Sequence, residues 1–261
     1  MYIDAHCHLT GDEFDQIGGV EAVIRRAEEN GVLRIVCSGF DLASSKRAAL
    51  LSERFENVYF CAGFHPSELF KYNDGDLAEI ERLCAHKKCV ALGEIGLDYH
   101  FDDNPPKPLQ RTLFESQLAL ADKAGLPVVL HSRDAAQETL EILQNNASLL
   151  KRGGLMHCYS YSPEMTEAFE KLGLCFSFGG PCTFKNAKKV WDSVQRIPAH
   201  RILSETDCPY LTPAPFRGTF PNEPKNVRFV VERLAELRGV TVEEMQKQIQ
   251  TNTEKLFFKM V

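Results

Sequence analysis

The sequence contains no apolar run that is long enough to cross a membrane. Its first residues also lack the basic start and the continuous apolar stretch of a secretory signal peptide. The nine cysteines are an odd number, and no two of them form a C-x-x-C pair. Several, such as Cys37 and Cys89, lie in apolar strand-like segments, where cysteine acts as a small hydrophobic residue. These features predict a cytoplasmic protein with no membrane partner.

An excess of positive charge is also missing. The chain has 30 Lys and Arg against 36 Asp and Glu, which gives a net charge of −6. This balance argues against a protein that coats nucleic acid by bulk charge, although it is compatible with a site that holds phosphate through metal ions. The Gly-rich phosphate-binding turn of a doubly wound sheet is absent as well, because H-C-H-L-T occupies residues 6–10.

Eight apolar, β-branched segments alternate with segments of helical spacing. The predicted strands are Tyr2–His6, Leu33–Ser38, Val58–Phe64, Cys89–Ile95, Leu126–His131, Gly154–Cys158, Leu174–Phe178 and Ile202–Glu205. Ser162-Pro163 is typical of a helix start, and Thr241–Glu244 has the pattern of a capping box. No repeat or linker divides the 261 residues. We therefore predict an α/β protein, a single (β/α)8 TIM barrel domain over residues 1–261.

Histidines are concentrated where the predicted strands end. An extended strand would point His6 and His8 to the same side, although an H-x-H pair alone is also compatible with a frayed strand end. Five of the eight histidines end predicted strands, together with a glutamate and an aspartate: His6, His8, His65, His131, His157, Glu94 and Asp207. Because the carboxyl ends of barrel strands converge on one mouth, we predict a metal site there.

The candidate ligands outnumber those of an ordinary catalytic zinc site. Four histidines with two carboxylates indicate two divalent ions per subunit, with zinc, magnesium and manganese all open. Glu94 lies on the strand between the two ligand groups, and a carboxylate can bridge two cations through its separate oxygens. Paired ions lower the pKa of a shared water and hold the oxygens of a displacement reaction. The predicted reaction is therefore metal-assisted hydrolysis.

Six motifs are distributed along the predicted strand ends. They are H-C-H at 6–8, G-F-H-P at 63–66, G-E-I-G-L-D-Y at 93–99, L-H-S-R-D-A at 130–135, H-C-Y-S at 157–160 and E-T-D-C-P-Y-L-T-P at 205–213. Together they resemble the TatD family of metal-dependent deoxyribonucleases within the amidohydrolase superfamily. The similarity extends from Ile3 to T-N-T-E-K-L-F at 251–257. One departure is His100-Phe101, where the family commonly has an aromatic such as Tyr at the first position.

The resemblance implies a (β/α)8 barrel of the metallo-dependent hydrolase type with a two-metal centre. One ion would be bound by His6, His8, Glu94 and Asp207, and the other by Glu94, His131 and His157. The resemblance also implies that Asp207 accepts a proton from the water, which would make Asp207 and Glu94 the catalytic residues. A role for Asp207 as a plain ligand stays open.

Four further residues near the strand ends allow weaker predictions. His65 would donate to a phosphate or leaving group, or be structural, and Arg133 would contact a phosphate oxygen or pair with its neighbour Asp134. Glu205 would orient a ligating histidine or fill a polar layer, and Asp98 is expected to cap a loop. Basic residues after strands seven and eight would be a solvated surface or a rim for a nucleic-acid end: Lys185, Lys188, Lys189, Arg217, Lys225 and Arg228.

A nuclease and three alternatives compete for this pattern. A related barrel hydrolase could cleave an ester or amide bond as a deacylase, lactonase or deaminase, but some of these bridge their metals with a carboxylated lysine on strand four, where this chain has Glu94. Histidinol-phosphatase-like enzymes share the D-x-H-x-H start. A non-catalytic module is disfavoured because every ligand position holds a residue that can coordinate. We predict a nuclease that acts on single-stranded or frayed DNA ends, and nothing indicates an obligate protein partner.

Overall fold

The structure is a computed structural model that describes residues 1–260. Eight strands run through this part of the chain: β1 Tyr2–Cys7, β2 Val32–Ser38, β3 Val58–Ala62, β4 Cys89–Asp98, β5 Val128–Arg133, β6 Gly154–Met156, β7 Leu174–Phe178 and β8 Ile202–Ser204. The α-helices are α1 Gly19–Glu29, α2 Leu42–Arg54, α3 Asp76–Cys84, α4 Lys107–Ala124, α5 Ala136–Asn145, α6 Pro163–Glu170, α7 Lys188–Arg196, α8 Val227–Arg238 and α9 Val242–Leu256.

The strands form one parallel sheet in the order of the sequence, from β1 to β8. Backbone hydrogen bonds then join the carboxyl ends of the first and last strands. The Asp207 amide donates to the His6 carbonyl at 3.0 Å, and the His8 amide donates to the Cys208 carbonyl at 2.7 Å. The predicted (β/α)8 barrel is confirmed. The sixth strand is shorter than predicted because the chain turns at Cys158, which has a φ of 44°.

An apolar layer fills the barrel below its carboxyl end. Every strand contributes to a single cluster of buried residues, β4 with two and each other strand with one: Ala5, Val36, Cys61, Val90, Ala91, Val129, Leu155, Cys175 and Leu203. Leu256, Phe257 and Met260 from the end of the chain belong to the same cluster. Such a layer makes the barrel a packed core rather than a pore.

A polar layer lies two residues further along five of these strands, as the period of a β-strand requires. It consists of Ser38, His131, His157, Ser177 and Glu205. The first and fourth strands deviate from this period. In β1 the chain advances three residues from Asp4 to Cys7 while the paired strand β2 advances two. In β4 it advances three residues from Leu92 to Ile95 while β5 advances two. The extra residue is a β-bulge, which changes the side chain that faces the mouth.

The helix boundaries follow local sequence signals. Thr241 and Glu244 form the predicted capping box at the start of α9, and Pro163 opens α6 after Ser162. Gly125 ends α4 in the left-handed region, with a φ of 65°, where a side chain would be strained. Within residues 1–260, no helix combines the length and the apolar character that a membrane span requires.

Candidate metal centre

The mouth of the barrel brings together seven side chains that the sequence singled out. They are His6, His8, His65, Glu94, His131, His157 and Asp207. His6 and Glu94 are fully buried at the base of this cluster. The side chains of His8, Asp207 and His131 are 13%, 14% and 16% exposed, so the cluster opens only toward the mouth. The other three histidines, His86, His100 and His200, lie outside it.

Glu94 occupies the centre of the cluster, with one carboxylate oxygen on each side. Its Oε2 lies 3.2 Å from His6 Nε2 and 3.5 Å from His8 Nε2. Its Oε1 lies 2.8 Å from His157 Nε2 and 3.0 Å from His131 Nδ1. The four imidazoles therefore divide into two pairs, each facing a different oxygen of the same carboxylate.

Asp207 completes the side of the cluster that contains His6 and His8. Its Oδ1 lies 3.3 Å from His8 Nε2 and 3.6 Å from His6 Nε2, and these two nitrogens are 3.3 Å apart. Asp207 adopts a left-handed backbone with a φ of 54°, which is uncommon for a residue with a side chain. The hydrogen bond from its amide to the His6 carbonyl keeps this turn beside β1.

The opposite nitrogen of each of these histidines faces a protein group. His8 Nδ1 donates to the Ser38 carbonyl at 3.0 Å, and His131 Nε2 donates to Asp98 Oδ2 at 3.0 Å. His6 Nδ1 lies 3.0 Å from the Ser38 hydroxyl. These contacts orient the rings, and for His8 and His131 they place the proton away from Glu94. The nitrogen that faces the carboxylate then carries a lone pair.

His157 and Glu205 show the same arrangement with a longer separation. His157 Nδ1 lies 3.7 Å from Glu205 Oε1, and both atoms are buried without a hydrogen-bond partner. The second oxygen of Glu205 accepts a hydrogen bond from Ser177. Buried polar atoms normally have partners, and each of these two is the nearest available partner for the other.

Electrostatics keep both carboxylates ionised. Burial raises the pKa of Glu94, but the surrounding histidines lower it by a larger amount, so the pKa of Glu94 lies well below its usual value. Burial likewise raises the pKa of Asp207, and the hydrogen bond from His8 and the nearby histidines reverse that effect. In the opposite sense, burial lowers the pKa of His157, whereas Glu94 and Glu205 raise it well above its ordinary value. The cluster is therefore built around buried negative charge.

The donor set fits divalent cations. Lone pairs of His8 and His131 point at an ionised carboxylate, and a cation between these groups would satisfy all of them. Two ligands at about 2.0–2.2 Å from one ion, at tetrahedral or right angles, are separated by roughly 2.8–3.6 Å. The nitrogen and oxygen separations around Glu94 lie between 2.8 and 3.5 Å. Residues on both sides of Glu94 could thus each hold a metal ion.

His65 differs from the other four histidines. Its Nδ1 accepts a hydrogen bond from the Ser67 amide at 3.2 Å, which places the ring proton on Nε2. That nitrogen lies 3.5 Å from Glu94 Oε1. Burial, reinforced by the neighbouring His131, lowers the pKa of His65 to about 3, so the ring is neutral. His65 therefore presents an N–H donor to the site rather than a lone pair.

The remaining candidates lie at the rim. Arg133 is exposed and its guanidinium lies 5.0 Å from the centre of the Phe101 ring, whereas Asp134 pairs with His100. The alternative in which Arg133 pairs with Asp134 is therefore wrong. Lys188 and Lys189 begin α7 and are exposed. Arg217 lies over the Phe184 ring and Lys225 pairs with Glu223, so only part of the basic group is unengaged.

Two contributions were not predicted from the sequence. Ser38 contacts both His6 and His8, and Asp98 holds His131 in addition to its predicted role in the loop. Asp98 does accept hydrogen bonds from the His100 amide and the Asn104 side chain. Both residues end strands that neighbour a ligand-bearing strand, which is the signal that could have identified them.

Comparison with known proteins places this geometry in a family. The model of TatD related DNases matches residues 3–258. An uncharacterized metal-dependent hydrolase, YabD of Bacillus subtilis, is 43% identical over 98% of this chain and 99% of its own length. Another, YcfH of Escherichia coli, is 35% identical over 98% and 95%. The crystal structure of the TatD homologue YjjV from Escherichia coli superposes with a TM-score of 0.91 at 34% identity, over 98% of both chains.

These matches cover the barrel and every strand end that contributes to the cluster. They agree with the sequence motifs from which the same family was identified. The chain therefore belongs to the TatD related DNase family and is a TatD-type metal-dependent hydrolase.

Proposed function

We propose that this hydrolase cleaves phosphodiester bonds of single-stranded or frayed nucleic acid, most specifically DNA ends, with two metal ions. The observation that carries the proposal is the position of Glu94 between two pairs of imidazole nitrogens, one pair facing each carboxylate oxygen. A carboxylate in this position can bridge two cations. Two-metal sites of this kind are typical of phosphatases, polymerases and nucleases.

The metal ligands follow from the same contacts. One ion would be held by His6, His8, Glu94 Oε2 and Asp207 Oδ1, and the other by Glu94 Oε1, His131 Nδ1 and His157 Nε2. The four imidazole ligands favour zinc over magnesium and manganese, which prefer oxygen ligands. His8, Asp207 and His131 are partly exposed toward the mouth, from which a substrate would approach the ions.

The chain's own groups supply the remaining chemistry. Two divalent cations would acidify water and neutralise the charge that develops on the phosphate oxygens. Asp207, ionised and partly open to the mouth, accepts the proton that the attacking water loses. His65 Nε2 donates a hydrogen bond to a phosphate oxygen or to the leaving group. Arg133 lies on the exposed rim, where it can contact the next phosphate of a strand.

The preference for nucleic acid rests on charge and on the family. A phosphodiester is an anion, and a chain of net charge −6 repels it at long range, so local cations must hold it. Metal ions, Arg133 and the exposed lysines at the start of α7 would provide that local charge. The matching family model is described as a DNase family, which supports the same substrate class.

A substrate panel tests the proposal. Protein stripped by a chelator and reloaded with zinc, manganese or magnesium is incubated with end-labelled single strands, frayed duplexes and blunt duplexes, and separately with acyl ester, lactone and amide substrates. We expect stepwise shortening of the single and frayed strands from one end, lost on chelation and restored by metal. The double variant His6→Ala/His8→Ala, purified identically, controls for a contaminating nuclease.

Hydrolysis of an acyl or amide substrate alone would contradict the proposal. If every oligonucleotide stays intact with both sites loaded while an acyl or amide substrate turns over, the nuclease proposal is wrong. The chain would then be a metal-dependent hydrolase of ester or amide bonds on the same barrel.

A further inference from the structure

Exposed aromatic side chains are concentrated around the mouth of the barrel. Among residues 1–260, six aromatic side chains are largely exposed, and five of them lie on the loops that follow β3, β4 and β8. These five are Phe70, Phe101, Tyr210, Phe216 and Phe220. The sixth, Phe258, is near the end of the chain. Apolar surface that is gathered in one region of a soluble protein usually marks a binding site.

Two of these rings form a pair beside the proposed metal centre. Tyr210 is 52% exposed and Phe220 is 60% exposed, and their ring centres are 6.4 Å apart at an angle of 39°. Tyr210 follows Asp207 in the same turn, since its amide donates to the Asp207 carbonyl at 3.0 Å. The pair therefore lies directly next to a residue that would bind metal and accept the proton.

The backbone beneath the pair is fixed by a buried side chain. Asn222 is fully buried, and its backbone amide donates to the Pro209 carbonyl at 2.8 Å. Its side-chain nitrogen donates to the Tyr210 carbonyl at 2.8 Å and to the Thr206 carbonyl at 3.2 Å. These bonds join the segment that carries Phe220 to the turn that carries Tyr210, so the two rings are presented on one scaffold.

A cleft of about 540 Å³ opens between Phe220 and the loop after β1. Its walls include Thr10, Arg47, Asp12 and Glu13. The two carboxylates disfavour a phosphate inside the cleft, but they can accept hydrogen bonds from the amino groups of nucleobases. The cleft is therefore better suited to a base than to a phosphate.

We propose that Tyr210 and Phe220 form a stacking site for the bases at the end of a single strand, with the adjacent cleft receiving a base. This inference rests on the proposed nuclease function and names the residues that would select unpaired bases. Stacking on aromatic rings tolerates any base, because every base has a π-face. A base that remains paired in a duplex has no exposed face for these rings.

Comparison of a normal strand with an abasic strand distinguishes base stacking from other roles of Tyr210 and Phe220. The KM of Tyr210→Ala and Phe220→Ala is measured for a single-stranded oligonucleotide and for the same strand with abasic sites at its terminal positions. We expect KM for the normal strand to rise about fivefold or more in each variant, with no comparable change for the abasic strand. Tyr210→Phe should stay near wild type because the ring is kept. Phe258→Ala, an exposed aromatic outside the mouth, is the matched control.

A binding measurement gives a readout that does not depend on cleavage. An oligonucleotide with 2-aminopurine at its end should lose fluorescence on binding to wild type, because stacking quenches this base. The quenching should be much weaker with Phe220→Ala and unchanged with Phe258→Ala.

Several outcomes would overturn the stacking site while leaving the hydrolase intact. One is cleavage of normal strands by both alanine variants with wild-type KM. Another is an equal rise in KM for normal and abasic strands, which would indicate a backbone contact or a disturbed loop. A third is a change of molar mass in light scattering for Phe220→Ala with no change in KM, which would identify the patch as an interface between copies. If wild type cleaves no oligonucleotide and does not quench 2-aminopurine, the proposed function itself fails.

Discussion

Single residues around the cluster orient the imidazole rings and determine which ring nitrogen is available to bind a metal ion. The Ser38 carbonyl and the Asp98 carboxylate accept hydrogen bonds from His8 and His131, and Glu205 faces the buried nitrogen of His157. A fixed ring orientation of this kind raises the affinity of a histidine for metal. The Asp207 side chain is 14% exposed against 2% for Glu94, which suits the proposed role of Asp207 as acceptor of a proton from water at the mouth.

Asp207 can be tested by removing its basicity while keeping its size. Asparagine retains an oxygen ligand but cannot accept a proton at neutral pH. We expect Asp207→Asn to retain much of its metal and to lose a factor on the order of 100 or more in kcat. Metal content is measured by elemental analysis alongside the rate. Asp102→Asn, at an exposed loop position, is the control. Near-wild-type activity of Asp207→Asn would leave this residue as a ligand at most.

Glu205 is expected to act through His157. Glutamine at this position keeps the size of the side chain but removes the negative charge that faces His157 Nδ1. We expect Glu205→Gln to weaken metal binding by about 10- to 100-fold, the range for loss of a group that orients a ligand. Excess metal should restore most of kcat, which a directly catalytic residue would not allow. Metal titration gives the affinity, and unchanged affinity would contradict the positioning role.

At the scale of elements, the two irregular strands decide which side chains reach the site. Strict alternation from Ala5 and Ala91 in the apolar layer would place Cys7 and Gly93 in the polar layer. The extra residue in β1 and in β4 presents His6 and Glu94 instead. These are the deepest side chains of the cluster, and one of them is the proposed bridge between the ions.

Gly93 shows how closely β4 must approach its neighbour. A Cβ on this residue would lie 2.7 Å from Val129 Cβ and 2.8 Å from the Val129 carbonyl oxygen. We expect Gly93→Ala to lower the free energy of unfolding by about 1–3 kcal/mol and to weaken metal binding, because Glu94 is displaced. Denaturant unfolding and metal titration measure the two effects.

Gly125→Ala is the matched control for this substitution. Its left-handed backbone is strained by a side chain, at a cost of about 1 kcal/mol, but nothing lies within 4 Å of the added carbon. It should therefore destabilise the fold without changing metal affinity. If Gly93→Ala behaves in the same way, the position of Glu94 does not depend on this contact.

The sequence was sufficient to predict the barrel and the residues that gather at its mouth. Strand period, strand spacing and the identity of polar residues at strand ends are local properties, so His131 and His157 follow directly from them. The bulges beside His6 and Glu94 depend on how β1 pairs with β2 and how β4 pairs with β5, and a local sequence pattern does not predict that pairing. The contact between Asp98 and His131 likewise needs the register of two strands, in which Asp98 pairs with Arg133.

For the whole molecule, the acidic net charge makes binding of an anion depend on a few local cations. Lys188 and Lys189 are exposed at the start of α7, on the side of the barrel where the strands end. Reversing both charges should raise KM for oligonucleotides more than it lowers kcat, and wild-type binding should weaken as salt rises. Lys87→Glu, exposed on the turn before β4, is the control. A KM that responds to neither salt nor the double substitution would argue for an uncharged substrate.

The apolar layer beneath the site has a consequence for how a strand can be processed. Side chains from every strand, with Phe257 and its neighbours below them, close the barrel at its amino end. The site is therefore a blind recess with one opening, and a strand cannot pass through it as through a tunnel. Under the proposed nuclease function, each released nucleotide would have to leave by the route along which the shortened strand advances. Departure of the product and advance of the strand therefore have to alternate, which would limit the rate of successive cuts.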